Sequence, residues 1–525
     1  MLMESTAGQL LLGLLLLAGL FLAVGLGFAV LVWTPMPAAG RERRPGSYRD
    51  RSAGYRAWPR AVAGRLWARA RHGRLTLLVA GRLSQAVAHP ARLVVSGFTA
   101  AVLAGSLLLM LPFATASGHG APPVTAMFTA TSAVCVTGLV VVDTGTYWSG
   151  FGELVILLLI QVGGFGIMTL ASLLGLLVAR RLRMRLRLGA QAETKALGVG
   201  EVRGVILGVL RVSVLVELAV AAVLTWRFAV GYANSWSHAG YLGVFHAVSA
   251  FNNAGFGLYP DSLMRFAGDP LICLPINAAV IVGGLGFPVL FELRREFRTP
   301  RHWSLHTRIT VGMSVLCLAA GWLAIAAAEW TNKATLGPLG LADKLLASLT
   351  TAVMPRTAGF NSLDVAGMRD LTLLIHDVLM FIGGGSAGTA GGIKVTTFAV
   401  LGFVILAEIR GEPSVHALGR RLPSGVQRQA LTIALLGVAA ITVSTLGLLA
   451  LTPFTLDAVL FETTSAFATV GLSTGITAHV GTAGHVILGL LMFVGRLGPA
   501  TAVTALALRE RTRRYERAEE RPIVG

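Results

Sequence analysis

Along almost the whole chain, long apolar runs of bilayer-spanning length alternate with short, arginine-rich polar stretches. Residues 9–33 form one uninterrupted run. No positive charge precedes it, as a secretory signal would require, so it predicts a retained membrane helix. The remainder of segment 1–91 is basic, and from Ala57 to Gln85 it mixes Trp, Leu and Val with arginines. That composition suits an amphipathic helix on an anionic membrane face, and equally a solvated positive loop. From there the pattern recurs. Residues 92–180, 204–293, 305–408 and 427–508 each read as a spanning helix, a shorter helix running into an irregular loop, and a second spanning helix; 509–525 is a polar tail. The predicted fold is an all-α integral membrane protein with four helix–pore-loop–helix repeats around a central pore and an extra N-terminal transmembrane helix.

The irregular loops share a motif. Ser465-Ala466-Phe467-Ala468-Thr469-Val470-Gly471-Leu472 is echoed by Ser132-Ala133-Val134-Cys135-Val136-Thr137-Gly138-Leu139, by Ser249-Ala250-Phe251-Asn252-Asn253-Ala254-Gly255-Phe256 and by Val353-Met354-Pro355-Arg356-Thr357-Ala358-Gly359-Phe360. Non-helical backbone at membrane depth is tolerated only where protein buries it or where it lines a water-filled path. Glycine permits backbone angles that turn successive carbonyls toward one axis. Four such loops on a common axis would replace the hydration shell of a monovalent cation with carbonyl and side-chain oxygens. The candidate ion-binding residues are therefore Val136, Thr137, Gly138, Asn253, Ala254, Gly255, Thr357, Ala358, Gly359, Thr469, Val470 and Gly471.

Composition narrows the class further. Of 525 residues, 54% are hydrophobic and 13% charged, too apolar for a soluble enzyme. The net charge of +19 would suggest nucleic acid in a soluble chain. Here the arginines gather in the linkers between repeats (Arg180 to Arg187, Arg294 to Arg308, Arg410 to Arg428) and in the tail, whereas the segments beside the motifs hold few. Linkers and C-terminus are thus placed on the cytoplasmic side and the motif mouths outside, with no nucleic acid implied. Cys135, Cys273 and Cys317 show no pairing or CxxC pattern and read as small buried residues. The histidines, among them His246, His302, His376 and His416, are scattered and pair with no acidic motif at metal-ligand spacing, which argues against a membrane-embedded enzyme.

Three charged or irregular features remain. Asp143, Asp261 and Asp364 follow three of the motif glycines, and either ring an outer mouth or cap the next turn; the fourth repeat has Ser473, Thr474 and Thr477 there. Gly383, Gly384, Gly385, Ser386, Gly388, Thr389, Gly391 and Gly392, ending at Lys394, should unwind the second helix of the third repeat. The spacing is not that of a phosphate-binding loop. It suits a gate below the filter, or a tight helix crossing of small residues. Arg496 either faces that segment as an electrostatic constriction or snorkels to the cytoplasmic face. Arg356 and Glu462, in pore-helix regions, are expected to brace the loops by hydrogen bonds. Glu153, Glu217, Glu292 and Asp377 carry no assigned role.

At Thr137-Gly138-Leu139, Asn253-Ala254-Gly255-Phe256, Arg356-Thr357-Ala358-Gly359-Phe360 and Thr469-Val470-Gly471-Leu472-Ser473, and again at the glycine-rich break with Lys394 and at Gly495-Arg496, the sequence resembles the Trk/Ktr/HKT superfamily of potassium transporters, nearest its bacterial KtrB and TrkH branch. The likeness covers about residues 92 to 508; the first 90 or so residues depart from it. The resemblance implies potassium uptake across the cytoplasmic membrane, often sodium-stimulated, by a homodimer with one pore per subunit and a ring of cytoplasmic nucleotide-binding regulatory subunits of the KtrA/TrkA type. It also implies K+ at the filter as the only metal, no covalent cofactor, and contact with membrane lipid alone besides those partners. An alternative keeps the fold and makes the system Na+-permeable or Na+/K+ coupled.

Overall fold

A computed structural model describes residues 90–166 and 199–498. The apolar run 9–33, the basic stretch after it, the linker from Arg180 to Arg187 and the tail 509–525 lie outside the described residues. Fourteen helices longer than one turn follow in order: α1 (Pro90–Leu109), α2 (Pro123–Val134), α3 (Gly150–Gly166), α4 (Val199–Gly231), α5 (Trp236–Phe251), α6 (Pro270–Leu285), α7 (Phe287–Glu296), α8 (Leu305–Glu329), α9 (Leu341–Val353), α10 (Asp370–Phe381), α11 (Val395–Ile409), α12 (Ser424–Leu451), α13 (Leu456–Ala468) and α14 (Gly481–Leu497). Three are long and apolar enough to cross a membrane, or four if α6 and α7, bent by 100° at Gly286, are one span. Regular strands among the described residues are confined to a hairpin in the basic linker, β1 (His416–Ala417) against β2 (Arg420–Arg421), turned by Leu418 and Gly419 at positive φ.

Local chemistry sets the helix ends. Ser235 and Ser304 accept from backbone N–H groups in the first turns of α5 and α8, and Asp269 with Pro270 opens α6. Gly286 (φ 92°) ends α6 in a conformation closed to most side chains. Large apolar side chains such as Leu215 and Leu218 on α4 and Val443 and Leu446 on α12 stand outward and more than 60% exposed, as on a surface whose solvent is lipid.

The helices pack in a closed circuit. α3 meets α5 where Gln161 and Asn252 bond, and α6 meets α9 where Asn277 Nδ2 donates to Thr350 Oγ1 at 2.9 Å. α10 meets α13 with His376 beside Phe461, and α14 returns to α2 with the His485 and Phe128 rings 5.2 Å apart. The short helices α2, α5, α9 and α13 each run at their C-terminal ends into one of the motifs.

The apolar residue after each motif glycine locks the circuit. Phe256 joins the core of α1, α2 and α3, Phe360 stacks over His246 of α5, Leu472 shares a small cavity with Met354 and Met368, and Leu139 joins the core around Phe467 and Leu488. Each loop thus inserts one side chain into the unit before it, which is why glycine is always followed by Leu or Phe.

Away from the centre, Glu329 at the end of α8 staples the loops around it. Fully buried, it accepts from Asn332 Nδ2 (2.6 Å), Thr335 Oγ1 (2.5 Å), Arg369 N (3.0 Å) and the Thr372 hydroxyl. Glu329→Ala strands four donors at once and is expected to cost about 3 kcal/mol or more. Thermal unfolding of the purified protein in detergent should show the loss, and Glu329→Gln, which keeps one acceptor, should lose less.

Candidate functional site

In all four motifs two residues take positive φ, one residue apart. They are Val136 and Gly138 (54° and 90°), Asn253 and Gly255 (58° and 69°), Thr357 and Gly359 (71° and 73°), and Thr469 and Gly471 (51° and 94°). The residue between them does not. Alternating backbone hand turns neighbouring carbonyls to one side, where an ordinary strand would alternate them. A β-branched residue such as Val136 at positive φ is an outlier of the kind that persists only where its surroundings demand it.

Several N–H groups of the motifs are consumed from behind. Thr137, Ala254 and Val470 donate to the carbonyls of Ser132, Ser249 and Ser465 at 2.8 to 2.9 Å, and Ala358 donates to Met354 O at 2.9 Å. Gly138 N and Gly471 N donate to the hydroxyls of Ser132 and Ser465, each at 3.1 Å. These serines hold the motif backbone, a part that residue type alone did not single out, although their place six residues before the glycine was visible.

The glycines then close on one another. A methyl added at Gly138 would stand 2.3 Å from Ala254 O, one at Gly255 2.7 Å from Ala358 O, one at Gly359 2.3 Å from Val470 O, and one at Gly471 2.1 Å from Thr137 O. The chain of approaches runs from the first motif through the second, third and fourth and returns to the first. Two hydroxyl oxygens of the motifs, Thr137 Oγ1 and Thr469 Oγ1, are buried without a hydrogen-bond partner among the described residues.

Between α10 and α11 the chain from Ile382 to Lys394 is non-helical and lies against these motifs. Gly383 N bonds Ile393 O and Val395 N bonds Gly384 O, closing the segment on itself, while Gly385 N and Thr389 N bond Gly284 O and Gly283 O at the end of α6. Ser386 and Thr396 hydroxyls bond each other at 3.1 Å. Thr389 Oγ1 donates to Asn253 Oδ1 at 2.7 Å, Gly391 N donates to Thr357 Oγ1 at 3.3 Å, and a methyl at Gly391 would stand 1.9 Å from Thr469 Oγ1. Gly388 and Gly392 are less crowded: methyls there would stand 2.9 Å from Gly283 O and 3.3 Å from the Met380 carbonyl. Lys394 Nζ holds the carbonyls of Ala390 and Gly391.

Arg496 is buried rather than reaching for a membrane face; its Nη1 donates to Thr389 O and its Nη2 to Gly163 O at 3.4 Å. It bridges the glycine-rich segment to α3. Its position has counterparts in the other units, for Gly163-Gly164, Gly283-Gly284 and Gly383-Gly384 occupy the place of Gly495-Arg496. In three of the four, the first glycine lets a helix backbone touch the end of a short helix: methyls at Gly163, Gly283 and Gly495 would lie 2.0, 2.0 and 1.8 Å from Val134 O, Phe251 O and Phe467 O. This recurrence was readable in the sequence.

The carboxylates after the motifs are engaged locally. Asp143 accepts from Thr146 N (2.9 Å) and Thr146 Oγ1 (2.6 Å), Asp364 accepts from Ala366 N (3.1 Å), and Asp261 pairs with Arg265 at 2.7 Å. Partial burial works against the Asp261 charge, but the Arg265 guanidinium outweighs it and holds the carboxyl below the ordinary carboxylate range. Arg356 does not make the bracing side-chain bonds expected of it, since its Nε and Nη1 are buried without partners; its carbonyl accepts from Asn253 Nδ2 instead. Glu462 does brace its loop, through Ser473 and Thr477. The three cysteines are free and buried, and no group of metal-ligating side chains occurs among the described residues.

Comparison with known proteins accords with this geometry. Residues 69–515 match the family model described as TrkH, cation transport protein. The chain is 41% identical over 425 residues to the Ktr system potassium uptake protein B of Bacillus subtilis, covering 81% of this chain and 94% of that one. It is 35% identical to the protein of the same name from Vibrio alginolyticus, covering 82% and 94%, and 32% identical to the potassium/sodium uptake protein NtpJ of Enterococcus hirae, covering 83% and 97%. The crystal structure of the potassium transporter TrkH from Vibrio parahaemolyticus superposes with a TM-score of 0.62 at 19% identity, covering 79% of this chain and 84% of that one, and so shares its fold. These are transporters and not enzymes. The chain is a multi-pass membrane protein that belongs to the Trk/Ktr/HKT superfamily of cation transport proteins.

Proposed function

We infer that the chain takes up potassium ions across the cytoplasmic membrane, channel-like, through the ring formed by its four glycine motifs. The observation that carries this reading is the closed succession of approaches from Gly138 through Gly255, Gly359 and Gly471 back to Thr137, with alternating backbone hand in every motif. Carbonyls turned to one side, with the bonded N–H groups directed behind them, make a lining rich in acceptors, which suits a dehydrated cation. The unpartnered Thr137 and Thr469 hydroxyls add two oxygens to it. The names of the relatives, potassium uptake proteins, favour K+ as cargo.

In this reading residues 92–180, 204–293, 305–408 and 427–508 are the four segments of one conduit, and the segment from Gly383 to Lys394 is its gate. Its bonds to Asn253 and Thr357 and its close approach to Thr469 set it against three of the four motifs, which supports this reading. The protein works as a homodimer under cytoplasmic nucleotide-binding subunits of the KtrA/TrkA type, with its C-terminus inside. Expression in a host lacking its own potassium uptake systems should restore growth at low external K+. Absence of rescue, with the protein present in the membrane, would refute the reading.

A Na+-permeable or Na+/K+ coupled system is the second reading. One glycine per segment offers fewer carbonyl sites than a Thr-Val-Gly-Tyr-Gly filter, and the Enterococcus hirae relative is named a potassium/sodium uptake protein. Isotope uptake with the two ions in competition separates the two.

A further inference from the structure

The four motifs differ in what stands behind them. Nine residues before each motif glycine, on the inner face of the short helix, lie Thr129, His246, Thr350 and Glu462, all buried. His246 Nε2 accepts from Leu258 N at 3.5 Å, in the segment that leaves the second motif. Thr350 accepts from Asn277 on α6. Glu462 alone is a carboxylate, and it has no exposure at all. It accepts from Ser473 Oγ at 2.9 Å and from the Thr477 hydroxyl, and those two hydroxyls bond each other at 3.0 Å. Ser473 Oγ also accepts from Gly475 N at 2.9 Å, and Thr477 O bonds His485 Nε2 on α14 at 2.8 Å. The segment just beyond Gly471 is thereby tied both to the helix that precedes the motif and to the helix that follows it.

The other three motifs are followed by an aspartate engaged in its own turn or with a neighbouring arginine, and the fourth has none. The fourth segment's carboxylate therefore comes from behind, out of α13. No basic side chain bonds it among the described residues; its partners are the Ser473 and Thr477 hydroxyls and the backbone N–H of Thr474. A buried carboxylate met only by neutral donors is expensive to keep unless its position is needed. What it fixes is the exit of Val470 and Gly471: the Val470 carbonyl stands against Gly359, and Gly471 stands against the Thr137 carbonyl.

We propose that Glu462, through Ser473 and Thr477, is a positioning residue that holds the fourth segment of the filter and thereby sets discrimination between K+ and Na+. The proposal rests on the filter reading above. A displacement of the fourth segment by a few tenths of an ångström alters the fit to the smaller and larger ion unequally, so selectivity responds before assembly does.

The test is the ratio of K+ to Na+ uptake, measured by isotope influx into cells or proteoliposomes carrying the full-length protein, for Glu462→Ala, Glu462→Gln, Ser473→Ala, Thr477→Val and the combination of Glu462→Ala with Thr477→Val. Glu462→Ala should lower the ratio about tenfold, Glu462→Gln should recover part of it, and the combined variant should fall no further than Glu462→Ala, because both remove one interaction. An unchanged ratio in Glu462→Ala, or fully additive losses, overturns the proposal. If Glu462→Ala does not assemble, Ser473→Ala and Thr477→Val decide it: both must lower the ratio. Gly471→Ser, measured alongside, separates the two ideas. If it abolishes uptake or changes selectivity while Glu462→Ala leaves the ratio unchanged, the filter stands and the positioning role fails; if it leaves both uptake and selectivity intact, the filter reading itself fails.

Discussion

Replacing Gly471 with alanine should abolish potassium uptake while the equivalent change at Gly475 leaves it nearly intact. The two glycines lie four residues apart and have almost the same backbone, φ 94° and 93°. An alanine at either position bears a conformational penalty of about 1–2 kcal/mol. At Gly475 that is all, because nothing lies within 4 Å of where the methyl would go. At Gly471 the methyl would sit 2.1 Å from Thr137 O and 3.1 Å from Gly138 Cα, and both are backbone atoms that cannot rotate away. The fourth and first motifs must then separate, moving the carbonyls that we infer line the ring. Growth at low external K+ and isotope influx, each normalised to protein in the membrane, check the pair. Equal behaviour of the two variants would mean that closure of the ring is irrelevant to transport.

The contrast also shows what a sequence can disclose. Four glycines recurring every 104 to 117 residues between apolar runs pointed to backbone conformations that other residues resist, and the density of glycine from Gly383 to Gly392 pointed to an interrupted helix. Both follow from local sterics, which are written residue by residue. The order in which the motifs touch is not local. That Gly138 abuts the second motif, or that Phe256 serves the core of α1, α2 and α3, depends on how helices meet in space. Nor does residue type reveal Val136 at positive φ, because valine by itself favours an extended backbone; the surrounding bonds at Ser132 impose it. Asp143, Asp261 and Asp364 illustrate a different obstacle. A carboxylate placed shortly after a filter motif looks the same in sequence whether it faces an axis or is bonded within its own turn, and only the geometry assigns it to Thr146, Arg265 or the Ala366 N–H. The hairpin at residues 416–421 is shorter than any window over which strand alternation can be read.

Arg496→Ala is expected to raise potassium influx on the order of tenfold, and the reason combines charge with mechanics. The guanidinium takes the place that glycine holds in the other three units, so in the proposed reading it adds a fixed positive charge at one point of the cation path. Lys394 adds a second, held on the carbonyls of Ala390 and Gly391. Arg496 also grips Thr389 O, and Thr389 in turn bonds Asn253, so one side chain fastens the glycine-rich segment beneath the motifs. On that reading alanine removes an electrostatic barrier and the fastening together. Arg496→Lys keeps the charge but cannot reproduce two bonds from one planar group, so it should give a smaller increase. Thr389→Val leaves the carbonyl to Arg496 and removes only the bond to Asn253 Oδ1; an increase there would show that the mechanical part acts independently of charge. Isotope influx into proteoliposomes at fixed membrane potential measures all three. If Arg496→Ala assembles normally and conducts no faster than the parent protein, the segment is not closed by this contact. The bond to Thr389 would then be a strut between α14 and its neighbours, with the closing of the path left to some other element.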